Sequence, residues 1–205
     1  MQPYQFRRIL ITHLRSNIQH SITTKKKMVD RYFDDAHAKL GRMLREQGYD
    51  HEAEKFQIQV LNARNRTLGE EHQETIRAMG DLAITYERLG KYADAEKLKM
   101  KVLDMKNKLL REEHPDTIRA MGNLANTYVS LGKYADVEKL QSKVLDMRNR
   151  LLGEDHPDKI WAMGNLANTY RSLAKYADAE KLQIIVLDMR NRHLGEDHPD
   201  TIWAI

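Results

Sequence analysis

A 42-residue period constrains this chain more than any other feature. His-Pro-Asp triplets begin at His114, His156 and His198, a weaker His72-Gln73-Glu74 falls one step earlier, and each step is 42 residues. The turn signal keeps the same phase, as Gly48-Tyr49, Gly90-Lys91-Tyr92, Gly132-Lys133-Tyr134 and Ala174-Lys175-Tyr176. Four copies therefore cover residues 33–74, 75–116, 117–158 and 159–200, and a fifth begins at Thr201 and stops. Self-similarity at such a spacing builds a solenoid, in which each unit buries its apolar face only against its neighbours.

Each copy reads as two helices. In the third, Met121, Leu124, Ala125, Tyr128 and Leu131 share one helical face, and Arg119, Asn123, Asn126 and Ser130 fall on the opposite stripe. Pro115 suits a first helical position, where no amide hydrogen is needed, and Asp116 sits near the positive end of the helix dipole. After Gly132 a second period opens with Val137, Leu140, Val144, Met147 and Leu151, and Gly153 is expected to close it as a left-handed cap. Ala83, Ala125 and Ala167 stand between larger Leu and Tyr residues, as close helix approach requires.

Residues 1–32 depart from the repeat. They hold seven basic residues against Asp30 alone, so the +4 net charge of the chain belongs to this arm and the array itself is slightly acidic. The arm reads as a degenerate N-terminal capping helix; a mitochondrial presequence and a phosphate- or lipid-binding arm are the competing readings. Ile205 lies five residues into the next first helix, so the sequence leads us to expect an uncapped face at that end and self-association through it. Absence of Cys rules out disulfides and thiolate metal sites, and no apolar run approaches a membrane span. We therefore expect a cytoplasmic protein.

Leu-Ala-x-x-Tyr in the first helix, the Gly-Lys-Tyr turn and Ala-Glu-Lys-Leu in the second resemble tetratricopeptide repeats. The 42-residue period and the Leu-Gly-Glu-Asp-His-Pro-Asp linkers at residues 152–158 and 194–200 narrow the resemblance to the kinesin-light-chain-like type. It implies an all-α, right-handed superhelical solenoid of antiparallel helix pairs that serves as a protein-interaction scaffold. The chain lacks the heptad-rich coiled coil of a motor subunit and any Gly-x-x-x-x-Gly-Lys-Ser/Thr loop. A regulatory array of a nucleotide-switch system remains an alternative through its multidomain relatives.

By the same resemblance, the stripe opposite the core lines a concave groove. Its expected peptide-binding residues are Arg77, Arg119, Asn123, Asn126, Trp161, Asn165 and Asn168. Asparagine amides both donate to and accept from peptide backbone, the arginines favour carboxylates, and Trp161 offers an apolar or stacking surface. The expected partner is a protein or peptide with acidic and hydrophobic residues, not nucleic acid. The charged faces of the second helices, with Asp146, Arg148 and Arg150, are expected to be solvated. The acid-His pairs such as Glu113-His114 recur once per unit, too far apart to hold one ion, and read as linker and helix start. No cofactor is expected. No residue set breaks the repeat in the manner of a catalytic site, so an enzyme is not expected either.

Overall fold

The computed structural model describes residues 30–153, 156–195 and 198–202. Every regular element among them is an α-helix: α1 (Asp30–Glu46), α2 (Asp50–Thr67), α3 (Gln73–Arg88), α4 (Tyr92–Leu110), α5 (Pro115–Ser130), α6 (Tyr134–Leu151), α7 (Pro157–Ser172), α8 (Tyr176–Leu194) and the short α9 (Pro199–Ile202). The starts of α3, α5, α7 and α9 advance by 42 residues, as do those of α2, α4, α6 and α8, so the sequence period is the structural period. The segment expected to be a capping arm lies almost wholly outside the described residues.

The helices form two compact units, the first ending at Lys91 and the second beginning at Tyr92. In the first, α2 packs against both α1 and α3. Leu40, Leu44 and Ala53 form its core with Phe56 against them, and a second cluster joins Ala38, Val60 and Ala78. In the second unit, α4 to α8 pack each against the next. Ile118, Met121, Val144, Met147 and Ala162 make one core cluster; Ile160, Met163, Val186 and Met189 make the next, and Leu145 touches both. Within each unit, a core shared by successive helices in this way leaves no single repeat complete alone.

Helix starts follow one chemistry. The ring Nδ1 atoms of His72, His114 and His156 accept hydrogen bonds from the backbone N–H of Glu74, Asp116 and Asp158, at 3.2, 3.1 and 3.1 Å. An otherwise orphan helical donor is thus satisfied, a contribution of about 1 kcal/mol per helix. The turns between paired helices repeat as well. Lys91, Lys133 and Lys175 each reach back to Glu54, Glu96 and Glu138, at 2.6, 2.7 and 2.7 Å, and each lies over the ring of Tyr86, Tyr128 or Tyr170.

Two expectations fail locally. Gly153 is not in the left-handed region that Gly69 and Gly195 occupy, at φ of 87° and 88°; α6 ends through Leu152 in extended conformation. Leu151, placed on the apolar face by its spacing, is 47% exposed, because α6 ends there and the chain turns away.

A candidate partner-binding cleft

The predicted polar stripe is a real surface in the second unit. Arg119, Asn123, Asn126 and Ser130 are all exposed along α5, while Met121, Leu124 and Ala125 are buried behind them. One helical turn repeats this on α7, where Trp161 is 52% exposed and Ile160, Ala162 and Met163 are buried. Between these surfaces lies an open cleft of about 890 Å³. Arg119, Asn123, Asn126 and Trp161 line it together, over an apolar floor of Ile118, Val144 and Ile160. A narrower recess beneath Asn126 and Trp161 takes in Asn165 and Gln141.

Not every predicted residue joins them. Asn168 is exposed farther along α7 and lines neither recess. Arg77 belongs to the other unit, where it is 61% exposed and 3.9 Å from Glu74. In that unit Asp81, four residues beyond Arg77 on the same helix, is paired internally, with Arg42 at 3.2 Å and with Arg45.

The second helices contribute more than the sequence led us to expect. Arg148 is not on a solvated face: it is half-buried, lines the cleft, donates from Nη1 to the Asp158 carbonyl, and holds its Cζ 5.5 Å from the centre of the Trp161 ring. Asp146 and Arg150 do behave as expected, pairing on the surface at 3.1 Å. The cation is itself periodic. Lys106 and Arg64 hold the same position one and two repeats earlier and donate to the carbonyls of Asp116 and Glu74, at 3.3 and 2.9 Å. Each therefore ties a second helix to the start of the next first helix. Position 148 follows Val144 by four residues, and Val60, Val102, Val144 and Val186 are all buried, so the recurring Val-x-x-x-Arg/Lys pattern was the signal available in the sequence.

Arg190 and His193 of α8 also line the cleft, as does Asp158. Arg119 also contacts Asp116, which Lys106 approaches to 3.9 Å. Burial lowers the Lys106 ammonium from its ordinary value, Asp116 opposing and Arg119 adding to that effect. The deeper polar groups are held in place: Thr169 donates to the Gln141 side-chain oxygen at 2.7 Å, which fixes the amide bordering the recess. The whole presents hydrogen-bonding amides, guanidinium groups and one indole over an apolar floor. It holds no group of three His, Cys, Asp or Glu side chains suited to a metal among the described residues. Among the described residues, no helix is long and apolar enough to cross a membrane.

Comparison with known proteins agrees with this architecture. The tetratricopeptide repeat family model matches residues 34–108 and 116–184. Among solved structures, the nearly identical TPR-like repeats of a Podosopora anserina protein assigned as a kinesin light chain are 25% identical and superpose with a TM-score of 0.74, covering 83% of this chain and 81% of that one. BtubC (BKLC) from P. vanneervenii, 18% identical, reaches 0.76 over 94% of this chain and 76% of its own. RapI in its apo form shares the fold at 13% identity and a TM-score of 0.68, over 92% of this chain and 67% of that one. No curated protein matches. Because the family model spans well over half of the sequence, and its helices recur at the period the sequence dictates, the chain belongs to the tetratricopeptide repeat family, as an all-α repeat solenoid with kinesin-light-chain-like neighbours.

Proposed function

We propose that this chain is a non-enzymatic, cytoplasmic interaction scaffold that binds a peptide segment of a partner protein in the cleft of its second unit. One observation carries the reading: Arg119, Asn123, Asn126 and Trp161, four of the residues that the family resemblance places in a groove, border one open cleft with an apolar floor. The asparagine amides suit the backbone of an extended peptide, whatever its side chains, and the apolar floor and indole suit a hydrophobic side chain. The guanidinium groups favour acidic character in the partner.

The test is a pull-down from cell extract with the wild-type chain beside Arg119→Glu/Asn123→Ala/Asn126→Ala, once circular dichroism shows equal helicity. Proteins retained only by the wild type support the cleft as the binding site. Identical partner sets on both baits refute it.

A second reading, self-association, draws on α8. Ile184 and Ile185 are 61% and 43% exposed there, where the third copy has Ser142 and Lys143. Concentration-dependent sedimentation that Ile184→Ser/Ile185→Lys abolishes would support it, and a concentration-independent monomer would exclude it.

A further inference from the structure

Resting on the cleft as the binding site, we infer that Gly122 determines which side chain of the partner the cleft accepts. By carrying no side chain of its own, it keeps open the way into the narrower recess, which takes the tip of an aliphatic side chain and turns away an aromatic ring. Nothing within the chain calls for glycine here. Gly122 lies inside the 16-residue helix α5, where glycine is among the residues that least favour helix. Its backbone is helical, unlike that of the left-handed Gly132. A β-carbon at Gly122 would meet no atom within 4 Å, whereas one at Gly41 would meet Cγ of Gln57 at 3.0 Å. The first copy carries Ala38 at the equivalent position, so the repeat accommodates a methyl group there.

What the missing side chain leaves open is the cleft. Gly122 lines both the cleft and the recess, so it stands where one leads into the other. The recess holds about 20 Å³, room for one small group, and an aromatic ring needs several times that space. Ala125, Val144 and Ala162 give it apolar walls beside Trp161. The Gln141 oxygen at its border already accepts the Thr169 hydroxyl, so an entering methyl group does not deprive it of a partner. A methyl group projecting from position 122 would narrow this entrance. Gly164 holds the same position one repeat later and lines neither recess, which makes it the control.

The experiment pans a random-sequence peptide library on the full chain, discarding peptides that Arg119→Glu/Asn123→Ala/Asn126→Ala also retains, and titrates labelled copies of the remainder by fluorescence anisotropy. These peptides should share one Leu, Ile or Val whose replacement by Ala or by Phe weakens binding about tenfold. Gly122→Ala should weaken binding by about the same factor while raising the melting temperature by about 2–4 °C, because alanine favours the helix. Gly164→Ala should raise the melting temperature equally and leave affinity unchanged. Peptides that bind Gly122→Ala as tightly as the wild type, or that anchor through an aromatic residue, overturn the inference and leave the cleft standing. A lowered melting temperature in Gly122→Ala overturns it too, since the glycine would then serve packing, as does an equal loss of affinity in Gly164→Ala. If no peptide distinguishes the wild type from the triple variant, the cleft and this inference fall together.

Discussion

The turn between the paired helices contains its own controlled experiment. Gly48, Gly90 and Gly132 take φ of 82°, 71° and 69°, and the fourth copy forces Ala174 into the same left-handed region at 57°. The backbone bonds around the turn are equivalent: Gly132 donates to Val129 at 3.0 Å and Lys133 to Tyr128 at 2.9 Å, while Ala174 donates to Arg171 at 3.0 Å and Lys175 to Tyr170 at 2.8 Å. A β-carbon in this region costs about 1–2 kcal/mol. Replacing it by glycine returns freedom to the unfolded chain, which offsets about 0.4–1 kcal/mol. Ala174→Gly should therefore stabilise the protein by about 0.5–1 kcal/mol, the difference of those two effects. A β-carbon at Gly132 would meet no atom within 4 Å, so Gly132→Ala should cost a similar amount through backbone strain alone. Urea denaturation followed by helical ellipticity reads both, with unchanged dependence on denaturant. The double variant should return to wild-type stability, since the two turns share no contact. If Ala174→Gly is neutral or destabilising, the strain argument is wrong.

Three further outcomes follow from individual contacts. The buried Thr117 hydroxyl makes no hydrogen bond, so Thr117→Val should be neutral or slightly stabilising, whereas Thr169→Val leaves the Gln141 amide without its donor and should cost about 1–2 kcal/mol in the same denaturation assay. Arg64 is buried with Asp34 at 2.7 Å and the Glu74 carbonyl at 2.9 Å; Arg64→Met should cost about 2–4 kcal/mol, more than Lys106→Met, and an equal or smaller loss would contradict its role as a tie. Burial first, then Glu96 and Asp136, raise the Tyr128 phenol above its ordinary 10.0, Lys133 opposing, while the hydrogen bond to Glu96 raises Lys133 above 10.5. Both groups hold protons more tightly when folded, so their contribution is complete below about pH 10 and is lost as pH rises beyond it. Stability measured across that range should fall less steeply in Tyr128→Phe, and a rise with pH would reverse the assigned sign.

Much of the fold was legible because it depends on local chemistry that repeats. Pro115 and Pro157 begin helices as their missing N–H allows, Gly132 ends one, and the Met121, Leu124 and Ala125 face is buried as its spacing requires. Gly153 misled because glycine permits a left-handed cap without requiring one, and Leu151 because periodicity says which side a residue faces but not whether anything stands opposite. For the cleft, most of the first-helix residues were readable, while the second-helix residues left only the Val-x-x-x-Arg/Lys spacing as a trace. Arg119 and Asn123 follow from one helix, but Arg148 reaches the cleft only through the way α6 crosses onto the start of α7, which no single-helix projection contains.

That crossing also explains how a symmetric scaffold acquires an asymmetric site. The tie from a second-helix cation to the next first helix recurs with Arg64, Lys106 and Arg148, so it is architecture. What changes is the residue presented three positions beyond the tied carbonyl: Arg77, Arg119, then Trp161. In the fourth copy the tie and the new side chain coincide, and the guanidinium that anchors the helix also lies over the indole. A repeat device thereby fixes a non-repeated surface at little additional entropic cost, because Arg148 is already ordered by its backbone bond. Trp161→Arg restores the residue of the preceding copies while leaving the tie in place. It should therefore preserve stability within about 0.5 kcal/mol, as expected for an exposed substitution, while abolishing any binding that depends on the indole. Loss of stability well beyond that figure would mean that Trp161 is part of the packing, and the cleft would lose its claim to be a binding surface.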